Sequence, residues 1–134
     1  MKQRVSIARA LAIDPEVILL DEAFSAVDEF TAQVLRSEVL ELWEETGKTF
    51  ILVTHNLAEA IELADKILVL TSRPARLKHT LAVNLKRPRN RHRPEFVRLQ
   101  RELFELLREE LEKTIVRHKL RSIYRQEKIE DLEA

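Results

Sequence analysis

A short apolar run that ends in two acids is the feature that most constrains how this chain can fold. Val17 to Leu20 is apolar without interruption, and Asp21 and Glu22 follow directly. A half-exposed strand alternates apolar and polar residues, whereas a strand covered on both faces is apolar throughout. The run therefore predicts a buried strand of a parallel sheet, with both carboxylates at its carboxyl end.

The segments around this run alternate between helix and strand. Apolar residues recur at helical spacing over residues 2–12 and 29–46, and a further helix is predicted over Leu57–Ala64. β-Branched and apolar residues predict strands over 49–54 and over Lys66–Leu70. This order predicts an α/β fold in which right-handed crossovers join parallel strands.

The chain changes character after Leu70. Residues 76–85 favour one more strand, and the stretch from Arg73 to Arg93 holds eight Lys/Arg and no acid, which is typical of an exposed connector. A long helix is predicted from Glu95 to about Leu120, continuing into a charged tail. Its apolar stripe is interpreted as a packing face.

Composition excludes several classes of protein. The chain has no cysteine, so it holds neither a disulfide nor a cysteine-bound metal, and its apolar runs are too short to span a bilayer. No leader for export is visible, which predicts a cytoplasmic protein. Residues 1–70 carry a net charge of −7 and residues 71–134 carry +7. This division fits an acidic site and an anionic partner, two halves that face each other, or a chain from which the rest of the protein is absent.

Polar residues that could bind a ligand or take part in catalysis stand at the ends of two predicted strands. Asp21 and Glu22 follow the first, and His55 follows the second. The carboxyl ends of adjacent parallel strands meet at one edge of a sheet, which is where α/β proteins bind ligands. An Asp there can hold the Mg²⁺ of a nucleotide, a Glu can act as general base, and a His can contact a phosphate. The simpler alternatives are a charged turn after a strand and a solvent-facing loop histidine.

Local signals also predict how the helices begin and end. Asp28 is placed to cap the helix over 29–46, and Gly47 stands where that helix ends. Asn56 with Glu59 three residues later forms a capping-box pattern. Gly47 is the single glycine of the chain. A phosphate-cradling loop needs several glycines, so these residues cannot build one.

The basic run from Lys86 to Arg93 has two interpretations. Such a concentration of positive charge can bind nucleic-acid phosphates or anionic lipid. It has no interleaved aromatic residues for base stacking, and a solvated charge run explains it as well. Nucleic acid is therefore not an expected partner.

Several motifs resemble those of ABC transporter ATPases. Residues 1–11 look like the helix that follows the Leu-Ser-Gly-Gly signature, and residues 18–28 resemble the Walker B strand with the D-loop. Thr54-His55-Asn56 resembles the switch-histidine region. The turn over residues 72–76 and the later Pro94-Glu95-Phe96 resemble the nitrate, sulfonate and taurine importer branch. The matches cover about residues 1–110, in the order and at the spacing of the family.

The resemblance implies a fold and a set of roles. The fold would be the C-terminal part of the P-loop NTPase sheet with flanking helices and a long final helix. Asp21 would hold Mg²⁺ beside ATP, Glu22 would be the catalytic base, and His55 would sense the γ-phosphate. The loop from Ser25 to Asp28 would communicate across an ATPase dimer, and Gln3 and Arg4 would flank the composite nucleotide site.

The same resemblance implies partners and location. In the family, two ATPase subunits, here a homodimer, sandwich ATP and drive transmembrane permease subunits, and a solute-binding protein acts indirectly. The complete protein would lie peripherally on the inner face of the cell membrane. Ala23 and Val27 depart from the family's usual proline and leucine, and both changes leave the acids intact.

The motifs that hold nucleotide are expected to lie before Met1. Without a phosphate loop and its lysine, the chain alone is expected neither to bind ATP tightly nor to hydrolyse it. The leading interpretation is a truncated ATP-binding subunit of an importer, and the alternative is a non-catalytic interaction module. The expected domains are residues 1–72 as half of the ATPase core, 73–94 as the basic connector and 95–134 as a helical extension.

Overall fold

The computed structural model describes residues 2–133, apart from the side chains of Lys2, Glu127 and residues 129–133. The first and last residues of the expected domain ranges, 1 and 134, lie outside this part. The chain divides between Ala64 and Asp65 into two compact units. Within the described residues, none of the helices combines the length and apolar content that crossing a membrane requires.

The first unit alternates helices and strands as predicted. Its elements are α1 (Lys2–Ala12), β1 (Val17–Asp21), α2 (Glu29–Thr46), β2 (Thr49–Val53) and α3 (Leu57–Leu63). The two strands are parallel and paired from Val17 opposite Thr49 to Asp21 opposite Val53. The predicted parallel crossover through the helix over 29–46 is therefore confirmed.

Local signals fix the ends of α2 and α3. The Asp28 carboxylate accepts a hydrogen bond from the Thr31 amide and caps α2, and Gly47 ends that helix with a left-handed φ of 63°. The Asn56 side chain accepts from the Glu59 amide and caps α3. All three predicted caps are confirmed. They matter because they place Asp28 and His55 at fixed positions beside the strand ends.

The parallel strands are covered on one face only. Ile18 and Leu20 point into a core that also contains residues of α1 and α2: Ile7, Phe24, Ala32, Leu35 and Val39. The alternate residues Val17, Leu19, Ile51 and Val53 remain 47–63% exposed. The prediction of strands buried on both faces is thus wrong for this chain, because residues 2–64 supply helices to only one side of the pair. We call these four residues the open face.

The second unit is a hairpin followed by one long helix. It comprises β3 (Lys66–Leu70), β4 (Leu77–Ala82) and α4 (Pro94–Glu133). β3 pairs antiparallel with β4. The prediction that Lys66–Leu70 continues the parallel sheet is therefore wrong. A short apolar run carries no information on strand direction, and the six-residue connection 71–76 is too short for a crossover but suits a hairpin.

Candidate functional site at the ends of the parallel strands

The carboxyl ends of β1 and β2 lie level with each other. Asp21 is opposite Val53, and the Glu22 amide donates to the Val53 carbonyl at 2.9 Å, which extends the strand pairing by one residue. Glu22 then adopts a left-handed backbone with a φ of 51°. A non-glycine residue rarely takes this conformation, and it turns the chain away from the strand direction.

Glu22 and His55 form the central contact of the site. His55 Nδ1 lies 2.9 Å from Glu22 Oε1. An ionised carboxylate only accepts hydrogen bonds, so Nδ1 carries the proton in this contact. The expected meeting of the two strand ends is confirmed for this pair. Asp21 occupies the last position of β1 and is exposed on the same side as the open face.

Glu22 changes the protonation of the histidine. The pKa of His55 is raised above its usual 6.5, first by the hydrogen bond to Glu22, then by the charge of Glu22, with a smaller contribution from Glu59. The imidazole is 82% exposed. The pair is therefore a hydrogen-bonded acid and base that a ligand could reach directly from solvent.

The loop after Glu22 is tied to both of its neighbours. Ser25 Oγ donates to the Glu22 carbonyl at 2.9 Å, and Asp28 accepts from the Thr31 hydroxyl at 2.6 Å and from its amide at 3.1 Å. These bonds from Thr31 lower the pKa of Asp28. Ser25 and Asp28 thus hold the loop between the strand end and the first turn of α2.

The residues predicted on α1 do not join this cluster by hydrogen bonds. Arg4 pairs with Glu38 of α2 through two bonds, of 3.1 Å from Nε and 2.7 Å from Nη2. Gln3 is partly exposed. The structure therefore uses Arg4 to join α1 to α2, while Glu22 and His55 contact each other.

Arg36 is a residue near the site that sequence reasoning missed. It lies in α2 and is only 1% exposed. Its guanidinium nitrogens lie 2.7 Å from Glu29, 3.7 Å from Glu59 and 3.4 Å from Glu62. The available signal was its position: Ala32, Leu35 and Val39 share one side of the helix, and Arg36 falls among them.

Comparison with known proteins finds relatives that match most of this chain. An uncharacterized ABC transporter ATP-binding protein of Methanocaldococcus jannaschii is 43% identical over 115 residues, covering 86% of this chain and 43% of that protein. An aliphatic sulfonates import ATP-binding protein of Pseudomonas syringae is 48% identical over 102 residues, with 76% and 44% coverage. A nitrate import ATP-binding protein of Synechococcus elongatus is 42% identical over 112 residues, with 80% and 41% coverage. Further relatives are named for import of bicarbonate and taurine.

This chain belongs to the family of ABC transporter ATP-binding proteins. It spans less than half the length of these relatives. No model of a protein family matches it. The family indicated by the sequence motifs is thus confirmed.

The basic run of the ABC chain is partly used inside the second unit. Arg87 pairs with Asp65 at 2.9 Å. Arg89 is buried and donates to the carbonyls of Leu85 at 3.0 Å and Val83 at 3.3 Å. Burial, followed by the nearby charge of Arg87, lowers the pKa of Arg89. These two cations therefore stabilise the segment that leads from β4 into α4.

Proposed function

We propose that this chain is part of the ATP-binding and ATP-hydrolysing subunit of an importer for nitrate, a sulfonate, taurine or a similar small solute. The observation that carries the proposal is the 2.9 Å contact between Glu22 and His55 at the joint end of the parallel strands. The names of the relatives, which specify import of sulfonates, nitrate, bicarbonate and taurine, support the importer assignment.

Glu22 and His55 would carry the chemistry in the complete subunit. Glu22 is partly exposed, so its carboxylate can take a proton from an attacking water as general base. His55 holds that carboxylate through Nδ1, which leaves Nε2 for an oxygen of the γ-phosphate. The left-handed backbone at Glu22 supports this role, because such a conformation in a residue other than glycine is costly and is often found at functional sites.

Asp21 is the proposed contact to magnesium. Among the described residues, no group of three or more His, Cys, Asp or Glu side chains could hold a metal ion by itself. Asp21 is exposed at the carboxyl end of β1 and would supply one ligand to the nucleotide's Mg²⁺, with phosphate oxygens and water as the others. Magnesium, when bound, would neutralise phosphate charge.

The remaining proposed residues concern assembly. Ser25 and Asp28 lie in the loop that would face a second ATPase subunit, and Gln3 and Arg4 would flank the composite site formed across that homodimer. Residues 1–72 would form half of the ATPase core, followed by the connector 73–94 and the extension 95–134. Permease subunits would hold the complete protein at the inner face of the membrane, and a solute-binding protein would act through them.

Substitution of Glu22 in the complete subunit tests the proposal. Glu22→Gln should lower kcat for ATP hydrolysis by about 10²–10⁴-fold, because the amide cannot accept the proton, while ATP binding is retained. Glu16→Gln, an exposed acid just before β1, is the matched control and should leave kcat unchanged. Full hydrolysis by Glu22→Gln would overturn the proposal.

The 134-residue chain by itself is expected to be inactive. Its single glycine ends α2, so these residues contain no glycine-rich loop for the phosphates. Turnover of ATP by the purified chain at the rate of complete relatives would contradict this expectation.

A further inference from the structure

The buried cluster around Arg36 joins the two helices that follow the site loops. α2 begins directly after Asp28, and α3 begins directly after His55 and Asn56. Arg36 lies in α2, whereas Glu59 and Glu62 lie in α3. The two elements are therefore connected through one guanidinium that is almost completely withdrawn from solvent.

The position of α3 depends on few other buried groups. The helix has only seven residues, and its buried residues are Ala58, Glu59 and Ile61. Ile61 is fully buried and Leu63 packs on the core, so these two apolar side chains and Glu59 are the principal contacts of this helix. A helix of two turns has little stability of its own and takes its position from tertiary contacts. The 3.7 Å ion pair of Glu59 with Arg36 is thus one of the contacts that determine where α3 lies.

Glu59 also connects the cluster to the site loop. Its amide donates to the Asn56 side chain at 3.1 Å, while its carboxylate faces Arg36. Asn56 follows His55 directly, and its own amide donates to Thr54 Oγ1 at 3.0 Å. A shift at the start of α3 would therefore move residues 54–56 as one turn.

We propose that Arg36 is a positioning residue for His55. It holds α3 against α2 through Glu59 and Glu62, and this keeps the imidazole within hydrogen-bond distance of Glu22. Arg36 contacts neither reacting group and acts through α3. Its consequence for ATP hydrolysis rests on the proposed function, whereas the contact itself can be tested without nucleotide.

The direction in which the His55 pKa changes distinguishes a displaced histidine from a change in local charge alone. Glu22 and Glu59 are the groups that raise the pKa of His55. Removing a cation from this region favours the protonated imidazole and by charge alone would raise that pKa further. Loss of the Glu22 contact acts in the opposite direction. A fall in pKa therefore reports a displaced histidine.

The experiment is a titration of the imidazole signals of the 134-residue chain by NMR. The variant is Arg36→Met, which keeps the aliphatic stem but removes the charge. The control is Val39→Ala, a buried neighbour on the same helix that weakens the core without touching the ion cluster. The signals of His79, His92 and His118 provide internal references in each sample.

The expected result is a fall of the His55 pKa toward 6.5 in Arg36→Met and a raised pKa retained in Val39→Ala. An unchanged or higher pKa in folded Arg36→Met would overturn the proposal, as would an equal fall in the control. If Arg36→Met does not fold, Arg36→Lys decides the question. It keeps the positive charge but lacks the guanidinium fork that reaches both α3 carboxylates, so it should cause a smaller fall, and no fall would again overturn the proposal.

This test is independent of the ATPase assay. If Glu22→Gln leaves hydrolysis intact while Arg36→Met lowers the His55 pKa, the positioning role stands and the proposed chemistry fails. The reverse combination would leave the ATPase assignment in place and remove Arg36 from it.

Discussion

At the scale of single residues, the Glu22–His55 pair makes the stability of the folded chain depend on pH. Below pH 6.5 the imidazole is protonated in folded and unfolded chains alike, and the contact then contributes fully to stability. Since the folded-state pKa is raised, this contribution is lost as the pH rises through the raised value. The pair therefore stabilises the first unit in mildly acidic solution.

We expect His55→Gln to be destabilising below pH 6.5 and to approach the wild type at higher pH, because only the protonated imidazole gains from Glu22. Thermal unfolding of both proteins across this range measures the difference in Tm. His118→Gln, on the exposed part of α4, is the matched control. A difference that grows with rising pH would contradict the assignment.

Residue-scale sequence reasoning succeeded where the signal was local. Asp28, Gly47 and Asn56 act on backbone groups within four residues of themselves, so spacing alone predicted them. His55 met Glu22 because parallel pairing places neighbouring strand ends together. Arg36 was missed because helix periodicity places it beside buried residues but does not show which acids will face it, and its partners Glu59 and Glu62 lie more than twenty residues away.

At the scale of elements, α4 changes character along its length. Its first part is anchored by Phe96 and Leu103, each 1% exposed, whereas Leu111, Ile115 and Leu120 are more than half exposed. The predicted apolar stripe is therefore a packing face near the start of the helix only. Sequence periodicity shows which residues share a face but not how far along the helix a neighbour reaches.

Two side-chain truncations in α4 should distinguish its packed first part from its exposed second part. Leu103→Ala should lower the free energy of unfolding by about 3 kcal/mol, because it leaves a cavity among buried side chains. Leu120→Ala, 61% exposed on the same helix, should change it by less than about 0.5 kcal/mol. Urea unfolding followed by circular dichroism measures both, and equal effects would show that the far half of α4 is also packed.

The carboxylate of Glu110 connects the hairpin turn to α4. Glu110 accepts from the Ser72 amide at 2.8 Å and faces Lys78 at 3.1 Å and Lys113 at 3.3 Å. The bond from Ser72, followed by that from Lys78, lowers the pKa of Glu110 to about 2. The turn and the helix are thus joined by a group that stays ionised well into acid.

The stability due to Glu110 should persist at neutral pH and be lost as the pH falls from 4.5 toward 2, because its pKa is depressed in the folded state. Glu110→Gln should lack this part of the acid dependence. Thermal unfolding of the two proteins between these limits provides the measurement, with Glu105→Gln on the exposed side of α4 as control. If the Tm of the wild type and that of Glu110→Gln fall in parallel with decreasing pH, the contact of Glu110 with the hairpin turn does not stabilise the fold.

At the scale of the whole molecule, the open face of the parallel strands is an exposed apolar surface. Leu19 and Ile51 are opposite each other in the register and lie at its centre. Contiguous exposed apolar residues favour association, and a sheet with free edges adds backbone groups that can pair. The purified chain should therefore self-associate as its concentration increases.

Replacing both Leu19 and Ile51 with Thr should reduce this association while the strands persist, because Thr retains β-propensity but is less apolar. Analytical ultracentrifugation over a concentration series measures the change. Exchange of two exposed apolar residues of α4, Leu111 and Leu120, for Thr is the control. If the strand variant leaves association unchanged and the control abolishes it, the surface responsible for self-association lies on α4.

The order of helices and strands could be predicted from the sequence more completely than the pairing of the strands. The helices and strands came from periodicity and turn signals, and the βαβ unit followed from the rule for parallel crossovers. The antiparallel partner of β3 did not follow, because Lys66–Leu70 suits either direction. The exposure of Leu19 and Ile51 could not be predicted either, because β1 is apolar on both faces and its sequence does not show that helices of this chain cover only one of them.

The division between Ala64 and Asp65 can be followed with two optical signals. Trp43, the single tryptophan, lies in α2, so its fluorescence reports unfolding of residues before the division. Helical circular dichroism reports both units, because α1, α2 and α3 lie before the division and the forty-residue α4 lies after it. Coincident curves from the two probes would mean that both units unfold as one cooperative body, and separated curves would give each unit its own midpoint. Cooperativity across residue 64 is therefore measurable in one protein without adding a label.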